Sequence, residues 1–243
     1  MIAIYKKEIS LFFGSLIGQL IIGVFLVINN LILWSDFSEF NILNNSYANM
    51  DVFFNIAPIL FLFLIPAISM KIFSEEYNVG TIENIITKPI PIYNIILGKY
   101  FSVLTIVFLA IIPTFISVIS LYFLGEELGN LDLPAIFGSY LGLFLLSTVY
   151  TSVSVLASSL TNNQIFSFIF GLLLSTFLFF GFSFVSSIEY LKPINFILQQ
   201  FGLSFHYDII SNGVLRLTDF IYFFSMNFLI IYLCQVVINN KNK

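Results

Sequence analysis

The chain has 243 residues, of which 59% are hydrophobic and 9% charged, with a formal net charge of −4 and a mean hydropathy of +1.01. A soluble domain of this length has roughly 25% charged residues, so the composition excludes an ordinary soluble enzyme and predicts an all-α polytopic membrane protein. The basic residues form no cluster, so nucleic-acid binding is not expected. The only cysteine, Cys234, has no partner in the chain for a disulfide.

Six apolar runs are long enough to cross a bilayer as helices. About 20 helical residues span a hydrocarbon core of roughly 30 Å. The first run continues to Trp34 without a small-residue cleavage site, which predicts a retained span rather than a signal peptide. The chain is predicted to be one transmembrane domain over residues 1–243, with spans at about 11–34, 52–72, 100–124, 134–157, 165–187 and 220–238.

The distribution of basic residues predicts the orientation. Seven of the nine Lys and Arg residues lie near the two termini or between the second and third spans. The alternate connections are acidic, including Asp36, Glu39, Glu126 and Glu127 and the long segment 188–219. Because short loops rich in Lys and Arg remain in the cytoplasm, both termini and the connector 73–99 are predicted to be cytoplasmic. The segment 188–219 is predicted to face outward.

Groups typical of self-powered transport or catalysis are absent from the centres of these spans. Ion-coupled transporters generally have an ionisable residue at membrane depth. His206 is the only histidine, and its pairing with Asp208 predicts a structural or interfacial role rather than a catalytic or metal-binding one. Gly98–Lys99 lacks the upstream glycine and downstream hydroxyl of a Walker A phosphate loop. The chain is therefore predicted to be no enzyme and to hold no metal or cofactor.

The connector 73–99 is the one segment that is dense in charge of both signs. Gly80 is suited to a tight turn, and Thr81 is placed to cap a short helix with Glu83 in its first turn. Pro89 ends this helix. Three apolar residues share one of its faces: Ile82, Ile85 and Ile86. Such a helix either rests its apolar face on the bilayer or fits a groove on a soluble motor subunit.

The run FSEEYNVGTIENIITKPIPIYNIILGKY resembles the signature of ABC-2 type permeases, the membrane subunits of ATP-binding cassette exporters. In that family an F-x-x-E segment, a G-T-I-E turn, a proline break and a G-K pair form the region that couples to the ATPase. The matching residues here are Phe73, Glu76, Gly80, Thr81, Ile82, Glu83, Pro89, Gly98 and Lys99. More narrowly, MIAIYKKEISLFFGS and HYDIISNGVLRLTDFIYF resemble the gliding-motility-associated permease subunit (GldF type).

This resemblance implies a six-span permease fold of the type V exporter kind in the bacterial inner membrane. It implies a separate ATP-binding subunit, a second copy of this permease or a related one, and export in gliding motility or secretion. Lys88 and Lys99 are expected to pair with acidic groups of that partner or with anionic membrane lipid. The alternative is a non-transporting scaffold that anchors an ATPase in a larger machine. An intramembrane enzyme acting on lipid is disfavoured, because no acid, base and nucleophile cluster.

The fourth predicted span contains hydroxyl side chains at spacings that place them on one helix face. They are Ser147, Thr151, Ser154 and Ser158. Such a stripe serves helix packing within the subunit, or it lines a substrate path or the seam between two permease copies. Gly138 and Gly142 form a G-x-x-x-G pattern in the same span, which favours close helix approach.

Overall fold

The structure is a computed structural model and describes residues 1–35, 42, 50–125, 131–188 and 194–241. The regular structure of these residues is helical throughout. Its α-helices are α1 (Ile2–Gly14), α2 (Leu16–Trp34), α3 (Asp51–Ser69), α4 (Lys71–Val79), α5 (Ile82–Ile86), α6 (Ile92–Ile111), α7 (Phe115–Leu124), α8 (Leu133–Leu160), α9 (Gln164–Thr176), α10 (Phe182–Ser186), α11 (Asn195–Gln200), α12 (Leu203–Ser211) and α13 (Leu217–Lys241). A 3₁₀ turn joins α6 to α7, and a π-helical turn joins α9 to α10.

Six helical stretches of the described residues are long and apolar enough to cross a membrane. They are Leu16–Trp34, Asp51–Val79, Ile92–Leu124, Leu133–Leu160, Gln164–Ser186 and Leu217–Lys241. The prediction of an all-α fold with six candidate spans is therefore confirmed. The acidic residues Asp36, Glu39, Glu126 and Glu127, and positions 189–193 of the segment 188–219, lie outside the described residues.

The first apolar run forms two helices, which differs from the predicted single span 11–34. α1 ends at Gly14, and Ser15 has an extended backbone. The Ser15 hydroxyl accepts a hydrogen bond from the Gly18 amide at 3.1 Å and donates one to the Phe12 carbonyl at 2.8 Å. Ser15 therefore caps α2 while it binds the end of α1. α1 packs on α6.

The second and third stretches extend well beyond the predicted spans towards each other. α3 passes through Met70, which has helical dihedral angles, directly into α4. α4 ends at Gly80, whose φ of 77° is the left-handed conformation that favours glycine. α6 begins at Ile92, directly after Pro91. Residues 80–91 join these two long helical stretches and are called here the connector turn.

α8 lies at the centre of the bundle and packs against α3, α9, α12 and α13. Its glycines allow α12 to approach closely. A Cβ on Gly138 would lie 3.1 Å from the Ile210 carbonyl oxygen, and one on Gly142 would lie 3.0 Å from Cγ2 of Ile210. The G-x-x-x-G pattern therefore serves helix contact within the subunit.

α12 is fixed to the start of α3 and the start of α8. Pro58 has no N–H to bond the Phe54 carbonyl four residues earlier. The Tyr207 hydroxyl of α12 supplies that missing hydrogen bond at 2.5 Å. Ser139 of α8 donates to the Ser211 carbonyl at 2.7 Å. α12 thus lies at the opposite end of the bundle from the connector turn, about 38 Å away along the helical stretch between Phe54 and Val79.

Candidate functional site

The nine residues expected to form the coupling region occupy two different environments. One set is buried in the bundle and consists of Phe73, Glu76, Gly98 and Lys99. The other belongs to the connector turn and consists of Gly80, Thr81, Ile82, Glu83 and Pro89. Of this second set only Ile82 is buried, at 5% exposure. The signature therefore combines an internal cluster with an exposed turn.

Lys99 is the centre of the buried set. Its side chain is 0% exposed, and Nζ lies 2.8 Å from Oε2 of Glu76 on α4 and 3.1 Å from Oε1 of Glu8 on α1. Nζ also donates to the Ile72 carbonyl at 2.5 Å and lies 4.7 Å from the centroid of the Phe73 ring. An ammonium group has three N–H donors. Two of them are used in hydrogen bonds to Glu8 and the Ile72 carbonyl, and the ammonium charge also faces Oε2 of Glu76.

Lys7 completes an ion cluster of four residues: Lys7, Glu8, Glu76 and Lys99. Nζ of Lys7 lies 2.9 Å from Oε1 of Glu76 and 3.7 Å from Oε1 of Glu8, so each oxygen of Glu76 faces a different lysine. The formal charges sum to zero, as a largely buried set requires. The pKa of Lys7 is raised: burial lowers it, but the hydrogen bond and charge of Glu76 and the charge of Glu8 raise it by more.

Gly98 explains how α1 comes close enough to contribute two of these four residues. A Cβ at Gly98 would lie 3.0 Å from the Met1 carbonyl oxygen and 3.3 Å from Cβ of Ile4. A side chain there would push α1 away from α6. Tyr5 adds a second link through its hydroxyl, 3.1 Å from that of Thr105. The G-K pair therefore has a physical basis, because the glycine admits α1 and the lysine next to it binds Glu8.

The structure corrects the expected role of Lys99. It was expected to meet acidic groups of a partner or anionic lipid, but its side chain is fully buried and its ammonium contacts Glu8, Glu76 and the Ile72 carbonyl within the chain. It also lies inside a helix that begins at Ile92, ahead of the predicted span 100–124. Glu8 and Lys7 were not predicted as site residues. The only sequence signal for them was a charged K-K-E run at the start of an apolar segment.

The connector turn presents a polar surface and is held by Ile82, with Ile85 and Ile90 packed against the core. Ile82 is buried, whereas Thr81, Glu83, Lys88 and Pro89 are exposed. Thr81 occupies the N-cap position of α5, but its side chain makes no capping hydrogen bond, in contrast to the predicted cap. Ile85 is half-buried, and the side chain of Ile86 lies outside the described residues. Glu83 and Lys88 form no ion pair with any described residue, so their charges face away from the bundle.

The hydroxyl stripe of α8 is buried along its whole length. Ser158 accepts hydrogen bonds from the amides of Phe73 at 3.0 Å and Ser74 at 3.2 Å, and it donates to the Met70 carbonyl at 3.1 Å. It therefore satisfies backbone groups at the junction of α3 and α4. Ser147 donates to its own helix, whereas the hydroxyls of Thr151 and Ser154 are buried and have no hydrogen-bond partner among the described residues. The contacts of Ser158 support helix packing, the first of the two expected roles.

His206 pairs with Asp219 rather than with Asp208. Its Nδ1 lies 2.6 Å from Oδ1 of Asp219, and its Nε2 donates to the Gln200 carbonyl at 2.8 Å. The Tyr222 ring stacks on the imidazole with centroids 3.9 Å apart. Asp208 is exposed on the surface of α12. The histidine thus ties α12 to the start of α13, and no group of three or more His, Cys, Asp or Glu in the described part of the chain is arranged to hold a metal.

A comparison with protein families bears on the whole chain. The family model described as ABC-2 family transporter protein matches residues 3–242. The chain belongs to the ABC-2 family of transporter proteins. It is thus a membrane permease subunit of an ABC transporter, and such a subunit is not itself catalytic but works with an ABC ATPase. No curated protein matches this ABC-2 permease.

Proposed function

We propose that this ABC-2 permease couples ATP hydrolysis by a separate ABC ATPase to export across the bacterial inner membrane, in gliding motility or secretion. It acts together with a second copy of itself or a related permease. The observation that carries the proposal is the connector turn, an exposed polar surface that joins α4 to α6. The ion cluster binds these two helices to each other and to α1. A force applied to the turn reaches all three helices at once.

The ion cluster makes these helices move together. Lys99 belongs to α6, Glu76 to α4, and Glu8 to α1. Separating any two of these helices therefore leaves a buried charge unpaired or exposed to solvent. Removing one partner from a buried ion pair costs about 3–5 kcal/mol. A displacement of the connector turn therefore costs less free energy if α1, α4 and α6 shift together than if they separate. α1, α4 and α6 then transmit motion of the ATPase to the membrane-spanning helices.

The proposed orientation places the connector turn and both termini in the cytoplasm. The start of α1 packs on α6 beside Gly98, and Nζ of Lys241 lies 4.2 Å from the centroid of the Tyr77 ring near the end of α4. Both ends of the chain therefore share the connector end of the bundle. This end contains most of the basic residues, which favours a cytoplasmic position, and α12 then faces outward.

Reversal of one exposed charge tests the docking role of the turn. Glu83→Lys is expected to remove copurification of the ATPase and its coupled activity, because the variant places a cation where the partner meets a carboxylate. Asp208→Lys is the matched control, since it reverses an exposed carboxylate at the opposite end of the bundle. Equal amounts of copurified ATPase with both variants and wild type would refute docking at this turn.

Cysteine labelling tests the orientation independently. In a Cys234→Ser background, Thr81→Cys should react with a membrane-impermeant maleimide only in inverted vesicles, and Asn212→Cys only in intact cells. Both positions are exposed at opposite ends of the bundle. The reverse pattern would place the connector turn outside the cell, where no ATPase is available.

A further inference from the structure

A cavity of about 420 Å³ lies beside the ion cluster, between α1, the junction of α3 and α4, and α6. One end of this cavity is charged and the other is apolar. The charged end includes Lys7, Lys71, Glu75 and Glu76, and the apolar end includes Leu11, Phe12, Ile68 and Ile106. A cavity with two such ends suits an amphiphile.

Two residues of the apolar end, Ile68 and Ile106, lie further into the candidate spans than the ion cluster. Ile106 is seven residues further along α6 than Lys99, which is about 10 Å along the helix. Ile68 lies a similar distance before Glu76 on the other wall. A side chain reaching in from a soluble protein would fill the charged end and leave this deeper part empty. An occupant with a hydrocarbon chain fills both ends.

The charged side chains at the mouth of the cavity that have no ion-pair partner determine which polar head group an amphiphile needs. Lys7, Glu8 and Glu76 are already paired within the ion cluster. Lys71 and Glu75 lie four residues apart on one face of α4, and neither forms an ion pair with any described residue. Lys71 is half-buried and Glu75 is exposed. The mouth therefore offers one unpaired cation and one unpaired anion.

We propose that this cavity binds a zwitterionic aminophospholipid of the phosphatidylethanolamine type. The phosphate binds Lys71, the primary ammonium donates to Glu75, and an acyl chain extends along Leu11, Phe12 and Ile106. Phosphatidylglycerol offers no cation to Glu75, and the quaternary ammonium of phosphatidylcholine offers no N–H donor. The bound lipid fills the space between α1 and α4. This proposal does not depend on ATP coupling.

Competition among synthetic lipids tests the site. The full-length protein, purified in detergent, is incubated with equal amounts of palmitoyl-oleoyl phosphatidylethanolamine, phosphatidylglycerol and phosphatidylcholine, and retained lipid is measured by native mass spectrometry. Wild type should retain one phosphatidylethanolamine, preferred about tenfold, as expected for one charge-assisted hydrogen bond. Glu75→Gln should remove the preference, and Lys71→Gln should lower retention of all three lipids. Lys88→Gln, an exposed lysine of the connector turn, should change nothing.

A second variant acts on the apolar end. Leu11→Trp adds bulk from an exposed position that lines the cavity, so it should lower phosphatidylethanolamine retention without disturbing the bundle. An unreactive Cys234 thiol, which is buried at 1% exposure, confirms that the variant is folded. Equal retention of the three lipids, or retention unchanged in all of these variants, overturns the proposal. Loss of the lipid whenever an ATPase is bound overturns it in favour of a protein occupant.

Discussion

Replacing Lys99 by methionine tests whether the ion cluster holds α1, α4 and α6 together. Methionine keeps an unbranched side chain of similar length but removes the ammonium that binds Glu76 at 2.8 Å and Glu8 at 3.1 Å. Lys7 then faces both carboxylates alone, and its side chain is 48% exposed, whereas theirs are 10% and 11% exposed. An uncompensated buried charge remains. The expected loss of unfolding free energy is about 3–5 kcal/mol.

A second substitution separates the effect of lost charge balance from that of lost packing. Glu76→Leu together with Lys99→Met removes one charge of each sign and leaves Lys7 with Glu8, 3.7 Å apart. Replacing a buried pair by apolar side chains is often neutral or stabilising. The double variant is therefore expected to be more stable than Lys99→Met and to lie within about 1 kcal/mol of wild type. Such non-additivity identifies a direct interaction between the two residues.

The only cysteine provides the assay. Cys234 is buried at 1% exposure in α13, so a fluorogenic maleimide reacts with it only as the bundle opens on heating. At about 2–4 °C per kcal/mol for a chain of this size, Lys99→Met should lower the Tm by about 6–20 °C. Lys88→Met is the control, because that lysine is exposed and pairs with no described residue. Equal Tm values for the two methionine variants, or strictly additive effects in the double variant, would refute the reasoning.

Three further predictions concern contacts between helices, each measured by the same thermal assay. Gly98→Leu should lower the Tm about as much as Lys99→Met by displacing α1, whereas Gly23→Leu, with nothing within 4 Å of its Cβ position, should be neutral. Tyr207→Phe should cost about 1–3 kcal/mol by leaving the Phe54 carbonyl without its donor, while Tyr232→Phe, 57% exposed, should cost little. Asp219→Asn should cost about 1–3 kcal/mol through His206, and an equal effect of Asp208→Asn would contradict that pairing.

The number of spans could be predicted from sequence because it depends on local properties. A run of about 20 apolar residues has few options other than crossing a bilayer, wherever its neighbours lie. The helix ends were less predictable. α4 and the start of α6 contain Glu76 and Lys99, which lie outside the predicted spans 52–72 and 100–124, and the ion cluster neutralises their charges within the bundle. A hydropathy profile takes account of the charge of each residue but not of the residue that pairs with it in the fold.

The ion cluster could not be predicted because its members are distant in sequence. Glu8, Glu76 and Lys99 meet only because α1 packs on α6, and that contact depends on the break at Ser15 and the missing side chain of Gly98. The histidine pairing, by contrast, could have been anticipated. Residues two apart on a helix point to different faces, so His206 and Asp208 of α12 do not face each other. A more distant carboxylate was the better candidate, and Asp219 is that partner.

The coupling signature consists of a buried set of residues and an exposed set in the connector turn. Substitutions in the two sets should cause two kinds of defect that a transport assay alone would not distinguish. A substitution at Glu83 changes an exposed charge without an internal partner, so it should weaken ATPase binding and leave the Tm of the permease unchanged. A substitution at Lys99 or Gly98 should do the reverse, because these residues hold α1 against α6 and have no surface for a partner. Loss of coupling in a Lys99 variant that still binds its ATPase would therefore place the defect in transmission through the bundle rather than in docking.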